Sequence, residues 1–321
     1  MPKRIAAVIT VVDSWPLARE SLKYLMENST SELTEVILLN NGSFEGPQED
    51  FTIQYPKDFA YVEFPENVGA NGVFHKMLPI LDTMNQKWPE KYNFDIVAYF
   101  HNDMMVREEG WDQRILAAFD KDPKLALVGF LGSNEIDGAG GRGLGTSSSY
   151  MGFEYETGNA SKAEIHGRRV VGTEAAAVVD HCSMIFRITM LKQLPSSDES
   201  GYAPHHFYDR ILSCEVLHRF WHIAMLGIQC DHFGGGTGLC KVPHEGPELG
   251  VLNRDASYKK WLQLKGIEYF TDEENFDALV YKEAEKIFLS KWRDELHFIP
   301  VKVMKDYTVY HDYAQGKQRV W

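Results

Sequence analysis

The sequence predicts an α/β fold: a Rossmann-like, mostly parallel sheet flanked by helices, with a helical C-terminal extension. Three observations predict it. Short apolar runs alternate with amphipathic segments at helical spacing. The first run, Ile5 to Val12, has no polar face, as a strand covered on both sides requires. Polar clusters stand at the ends of these runs, where open α/β sheets bind their ligands.

Taken in order, the first strand runs over residues 5–12 and stops at Asp13. Pro16 suits the first turn of a helix, and Leu22, Leu25 and Met26 place its apolar face between Leu17 and Met26. A second strand, Glu35 to Leu39, is ended by Asn40-Asn41-Gly42-Ser43. A short strand, Tyr61 to Phe64, leads through Asn67-Val68-Gly69-Ala70-Asn71-Gly72 into a helix from about Val73 to Met84. The strand Asp95 to Phe100 is broken by His101-Asn102-Asp103. A helix over Trp111 to Asp120 and a strand over Leu125 to Leu131 complete this half. Beyond it, the glycine-rich stretch Gly138 to Gly145, with the serines that follow, reads as a loop and candidate lid. Strand patterns return at Ala177 to Val179 and Ser183 to Phe186, a helix at Phe207 to Trp221, and a strand at Ile223 to Cys230. From about residue 254 the chain reads as helical and charged, with Trp261, Phe276, Phe288 and Trp292 as packing candidates.

The bulk numbers exclude some classes of function. With 44% hydrophobic and 25% charged residues, the chain has material for a core and is not a disordered segment. A formal charge of −13 repels phosphate backbones and anionic lipids. The apolar start is too short to span a membrane and lacks a cleavage pattern, so no membrane span and a cytoplasmic location are expected. Cys182, Cys214, Cys230 and Cys240 form no C-x-x-C pair, which argues for reduced thiols and against a zinc site. No G-x-G-x-x-G follows the first strand, and no Lys-Ser/Thr completes a P-loop.

Three residues offer chemistry. Asp103 stands at a strand end, and a hard divalent cation takes one or two carboxylates together with substrate phosphates. Asn-Asp is equally good turn chemistry. Asp209 lies at a helix start, where a carboxylate either caps the helix or serves as a general base. His232 opens a glycine-rich loop; imidazole suits a borderline metal such as Mn²⁺, though a lone histidine is as readily structural. His75, His181, His218, His222 and His244 are set aside on that ground.

In their order these motifs resemble the inverting nucleotide-sugar glycosyltransferases of family 2 type, whose fold is called GT-A. The likeness runs from the Ala7 to Asp13 strand through Val36 to Ser43 and Asn67 to Gly72. It continues with Phe100-His101-Asn102-Asp103 in place of Asp-x-Asp, then Gly110-Trp111, Tyr208-Asp209, and His232 with Gly234-Gly235-Gly236-Thr237. It spans about residues 5–240. It departs at Asn40, where an acidic residue is usual, and at His101, where the first Asp of the motif is usual.

The resemblance implies a GT-A domain over residues 1–245, with a nucleotide-sugar-binding half (1–131), an acceptor-binding half (132–245) and the extension at 246–321. It implies Mn²⁺ or Mg²⁺ held by Asp103 and His232, and Asp209 as the base that deprotonates an acceptor hydroxyl. Thr10, Val12, Asp13, Asn40, Asn41, Asn71, Gly72, Lys76, His101 and Asn102 are the expected donor contacts. The donor is expected to be UDP-linked. The acceptor is a carbohydrate or another hydroxyl compound, a modified DNA base included. Two other readings stand beside this one. A sugar-phosphate nucleotidyltransferase would carry a Gly-rich signature and a basic residue where Asp13-Ser14-Trp15-Pro16 stands. A noncatalytic nucleotide-sugar-binding module would not hydrolyse its ligand.

Overall fold

The computed structural model describes residues 4–47, 59–142, 147–148, 168–196, 201–232, 247–267 and 275–320. The chain begins with strand β1 (Arg4–Val11), helix α1 (Trp15–Asn28), β2 (Thr34–Asn41), β3 (Ala60–Phe64) and α2 (Gly69–Lys87). It continues with β4 (Phe94–His101), β5 (Met104–Val106), α3 (Trp111–Lys121), β6 (Leu125–Gly129) and β7 (Leu131–Ser133). Short strands β8 (Ser147–Ser148), β9 (Arg168–Arg169), β10 (Thr173–Ala175) and β11 (Val178–Val179) precede β12 (Ser183–Arg187) and α4 (Ile188–Leu191). Then come α5 (Tyr208–His218), β13 (His222–Leu226), β14 (Cys230–His232), α6 (Pro247–Leu264) and α7 (Phe276–Leu289). A π-helical turn (Ser290–Glu295) and β15 (Ile299–Val303), β16 (Thr308–Asp312) and β17 (Lys317–Val320) close the described chain.

The main sheet has eight strands in the order β10-β13-β6-β12-β4-β1-β2-β3. The pairs β1/β2, β1/β4, β2/β3 and β13/β6 are parallel. β12 runs antiparallel to both β4 and β6, and β10 runs antiparallel to β13. After β1 the chain builds outward through β2 and β3, then returns to place β4 on the other side of β1. The crevice beyond the ends of β1 and β4 is therefore a topological switch point.

Side chains alternate across each central strand because successive Cβ atoms point to opposite faces. Ala6, Val8, Ile37, Leu39, Val97 and Tyr99 join one core layer with α2 and α5. Ile5, Ala7, Ile9, Val36, Leu38, Ile96, Ala98 and Phe100 join the other with α1 and α3. This is why the sequence shows unbroken apolar runs rather than an alternating pattern. Phe100, the last core residue of β4 before the site, meets Trp111 edge-on at 5.5 Å. Both are buried, so truncating either to alanine costs about 3–5 kcal/mol.

Two glycines fix the strand-end loops. Gly42 has φ +69° and would place a Cβ 2.1 Å from the Glu66 carbonyl carbon. Gly69 has φ +71° and would place one 2.4 Å from Pro204. Only glycine combines the left-handed backbone with these approaches.

The C-terminal residues depart from the helical expectation. They are helical through α6, α7 and the π turn, and then form the three-stranded antiparallel sheet β15-β16-β17. Tyr310 stacks obliquely on Phe298 at 5.1 Å, which seats the sheet against the α7 end. Tyr258, Trp261, Phe276, Val280 and Phe288 share a core layer with α2 and α5. Among the described residues, no helix is long and apolar enough to cross a membrane.

Candidate active site

Two histidine-carboxylate groups meet at the switch point. The first is His101, Asp103 and His232, each offering a ligand atom within 4.8 Å of the others. β4 ends at His101, and the turn Asn102-Asp103 leads into β5. β14 pairs antiparallel with β5, with His232 opposite Met104. That register brings the His232 Nε2 to 3.5 Å from Asp103 Oδ1. His101 Nδ1 lies 3.9 Å from the same oxygen. One carboxylate and two imidazoles suit a borderline divalent ion better than Mg²⁺, which prefers an all-oxygen shell. Burial and the neighbouring His181 push the His101 pKa down to about 4, so this ring is neutral at pH 7. Burial acts in the same direction on His232, but the Asp103 and Asp180 carboxylates outweigh it and raise its pKa.

The second group is Asp180, His181 and Asp209. Ser183 of β12 pairs with Phe100 of β4, and the His101 N–H donates to the Cys182 carbonyl at 3.1 Å. Because these strands run in opposite directions, the residues just before Ser183 lie beside those just after Phe100. The His181 and His101 rings are 4.8 Å apart. His181 Nδ1 lies 3.6 Å from Asp180 Oδ1 and 3.9 Å from Asp209 Oδ2. Two guanidinium groups balance the carboxylates. Arg142 pairs with Asp180, and Arg210 Nη1 reaches both Asp209 oxygens at 2.9 and 3.1 Å. Burial opposes ionisation of both carboxyl groups. His181 and Arg142 outweigh it at Asp180, and Arg210 and His181 at Asp209, holding both well below the usual carboxylate range. The same carboxylates overcome burial at His181 and raise its pKa.

Asp209 is the second residue of α5, not its cap; Phe207 holds the cap position without a side-chain hydrogen bond. A turn with His206 at φ +63° and Phe207 at φ +55° leads into the helix. Two successive non-glycine residues in this region cost about 1–3 kcal/mol each and persist only where their surroundings over-determine them. The C-terminal extension supplies those surroundings. Phe207 packs on Tyr281 and Phe288, while His206 Nε2 lies 3.0 Å from Asp277 Oδ1, which also accepts from the Tyr258 hydroxyl at 3.1 Å.

A cleft reaches one histidine of each group. Thr10, Val12, Asn41, Ala70, Phe74, His101, Asn102, His181, His205 and Tyr208 line it. Tyr208 reaches across to His101, hydroxyl to Nε2, at 3.4 Å. Of the expected donor contacts, Thr10, Val12, Asn41, His101 and Asn102 thus face one space. The others do not line it. Asp13 is buried with φ +50°; its Oδ1 accepts from the Glu45 N–H at 3.0 Å and its Oδ2 from Asn253 at 2.8 Å. Asn40 accepts from the Ser43 N–H at 2.9 Å and donates to the Tyr61 hydroxyl at 3.2 Å. Asn71 and Gly72 are buried in the first turn of α2, where the Asn71 N–H already donates to Pro204 O at 3.2 Å. Lys76 is exposed on α2.

Some of the site escapes a reading by sequence. His181 was set aside as one isolated histidine among several, yet it lines the cleft between two carboxylates. His205 also lines the cleft, and burial together with His206 and Arg254 pushes its pKa down to about 3. The available signal was the adjacency Asp180-His181 just before a strand. The candidate lid is partly fastened: Asp137 Oδ1 accepts the Ala139 and Gly141 N–H groups, and Arg210 Nε donates to Gly140 O at 2.8 Å. Residues 143–146 and 149 of that lid, and Gly234 to Thr237, lie outside the described residues.

No family model matches this chain, and no curated protein matches it. Among solved structures, it is similar to the mannosyltransferase PcManGT from Pyrobaculum calidifontis in complex with GDP-Man and Mn²⁺. The TM-score is 0.47 at 11% identity, over 90% of this chain and 70% of that one. It is also similar to S. aureus TarS 1-349 in complex with UDP-GlcNAc, with a TM-score of 0.41 at 13% identity, over 91% of this chain and 74% of that one. Likeness at this level decides no chemistry, which has to come from the cleft itself.

Proposed function

We propose that this protein is a GT-A-type glycosyltransferase that moves a sugar from a nucleotide-sugar donor to an acceptor hydroxyl with inversion. One observation carries the reading: a metal-competent trio (His101, Asp103, His232) and a buried imidazole-carboxylate pair (His181, Asp209) lie side by side at the switch point, and one histidine of each, His101 and His181, lines the same cleft. Group transfer from a diphosphate needs both a counter-charge for the leaving group and a base for the incoming hydroxyl.

The two imidazoles suit Mn²⁺ better than Mg²⁺, and an ion held there would supply counter-charge for the departing diphosphate. Asp103 and His232 hold it, with the neutral His101 as third ligand. Thr10, Val12 and Asn41 form the wall for the nucleoside, UDP in the first instance. Asp13 and Asn40 act one step back, holding the loops that shape that wall. Asp209 is the base. Its side chain is 1% exposed, against 38% for His181, so the acceptor proton would reach it through His181, taken up at one ring nitrogen as the other gives its proton to Asp209.

The test is turnover of a panel of UDP- and GDP-sugars with Mn²⁺, read as released nucleoside diphosphate with and without sugar acceptors. Slow hydrolysis without acceptor is expected, stopped by EDTA and restored better by Mn²⁺ than by Mg²⁺. A protein that released no diphosphate from any donor, with any acceptor, would not be a glycosyltransferase.

A further inference from the structure

Asn253 lies in α6, a helix of the C-terminal extension, and is 2% exposed. Its Nδ2 donates to Asp13 Oδ2 at 2.8 Å and to Gly42 O at 2.8 Å. Its Oδ1 accepts from Asn67 Nδ2 at 3.0 Å. An asparagine side chain has two N–H donors and one carbonyl oxygen. Here each donor and the oxygen serve a different loop, and the three loops follow β1, β2 and β3.

The first two of these loops adjoin the wall assigned above to the nucleoside. Val12 precedes Asp13 and lines the cleft. Asn41 lines it too, donating to Asn67 Oδ1 at 3.1 Å and accepting from the Val68 N–H at 3.1 Å. Asp13 holds a left-handed conformation, which is uncommon outside glycine though aspartate is among the residues that adopt it. A buried amide donating to its carboxylate is a charge-assisted bond, among the stronger ones available. Without Asn253, a buried carboxylate oxygen, the Gly42 carbonyl and the Asn67 amide would each lose a partner.

We propose that Asn253 is a positioning residue for the donor nucleoside, and that α6 is thereby part of the active site. This rests on the nucleotide-sugar reading. Asn253 does not line the cleft; it sets the relative positions of the three loops against which base and ribose lie. It should govern donor affinity more than the transfer step itself.

The test is calorimetric titration of UDP and GDP in MnCl₂, combined with donor KM and kcat. Asn253→Ala should raise the Kd of the nucleotide that binds about tenfold, the effect of one buried hydrogen-bond set. Asn253→Asp should do worse, since it sets a second carboxylate against Asp13. In both, the rate at saturating donor should stay within about twofold of wild type, a split that general loosening of the fold would not produce. Asn253→Gln keeps the amide and should recover part of the affinity. Leu264→Ala changes only an exposed side chain on the same helix and should bind as wild type does. If Asn253→Ala does not fold, Asn253→Gln is read alone: Kd raised about threefold at an unchanged saturated rate supports the proposal, and a wild-type Kd overturns it. Wild-type affinity in folded Asn253→Ala overturns the proposal and leaves the glycosyltransferase reading intact. A wild-type protein that binds neither nucleotide overturns both.

Discussion

The two histidine-carboxylate groups of the cleft use the same residue types to opposite ends. Around His101, Asp103 and His232, one carboxylate faces two imidazoles. Around Asp180, His181 and Asp209, each carboxylate has its own arginine. The first group has ligand atoms suited to a cation. The second is already neutralised, and its two ionised carboxylates raise the pKa of its histidine against the effect of burial. Composition alone does not separate a metal site from an acid-base pair; the neighbouring guanidinium groups do.

The contrast can be broken in three ways. The largest effect is expected from Asp103→Ala, which removes the only carboxylate of the first group. Mn²⁺-dependent turnover should fall about a thousandfold or more, the scale of several kcal/mol of leaving-group stabilisation. Retained Mn²⁺ affinity in this variant, measured by calorimetry, would move the ion to the second group and reverse the assignment. Next is Asp209→Asn, expected to lower kcat about a hundredfold through loss of general-base catalysis, with nucleotide affinity unchanged. A near wild-type kcat would remove the second group from the chemistry. The smallest effect concerns pH. A protonated imidazole is no ligand, and the Asp103 and Asp180 carboxylates that raise the His232 pKa favour the proton as a competitor. Mn²⁺ affinity should therefore weaken about tenfold per unit as pH falls below the His232 pKa, with one proton released per ion bound. His101, at about 4, joins the competition only in acid. Affinity that is flat between pH 8 and 6 would separate His232 from the ion.

Much of the first half was legible in sequence because its information is local. The runs at residues 5–12, 35–39 and 95–100 became β1, shifted by one residue, and β2 and β4, each a residue or two longer at its ends. Asn41 and His101 fall in the cleft for the reason the pattern implied: both stand at the ends of parallel strands. The second half was harder to read because β12 runs against its neighbours. A rule that looks for ligands at strand C-termini passes over Asp180 and His181, which sit at the N-terminal end of an antiparallel strand and so reach the same edge. The turn before Asp209 was hidden for another reason. Nothing in His205-His206-Phe207 announces two left-handed residues; their support comes from Tyr258, Asp277, Tyr281 and Phe288 of the extension.

The sequence by itself determined the α/β class, the order of the central strands and helices, and the polar strand ends where a ligand would lie. Those follow from side-chain periodicity and turn chemistry, which act over a few residues. Only the tertiary structure decided the register that sets His232 beside Asp103, the antiparallel insertion that sets His181 beside His101, and the closure of three loops by Asn253. The last contact spans 240 residues of chain. No local pattern encodes such a contact, because it exists only once the core has brought both ends of the chain to one place.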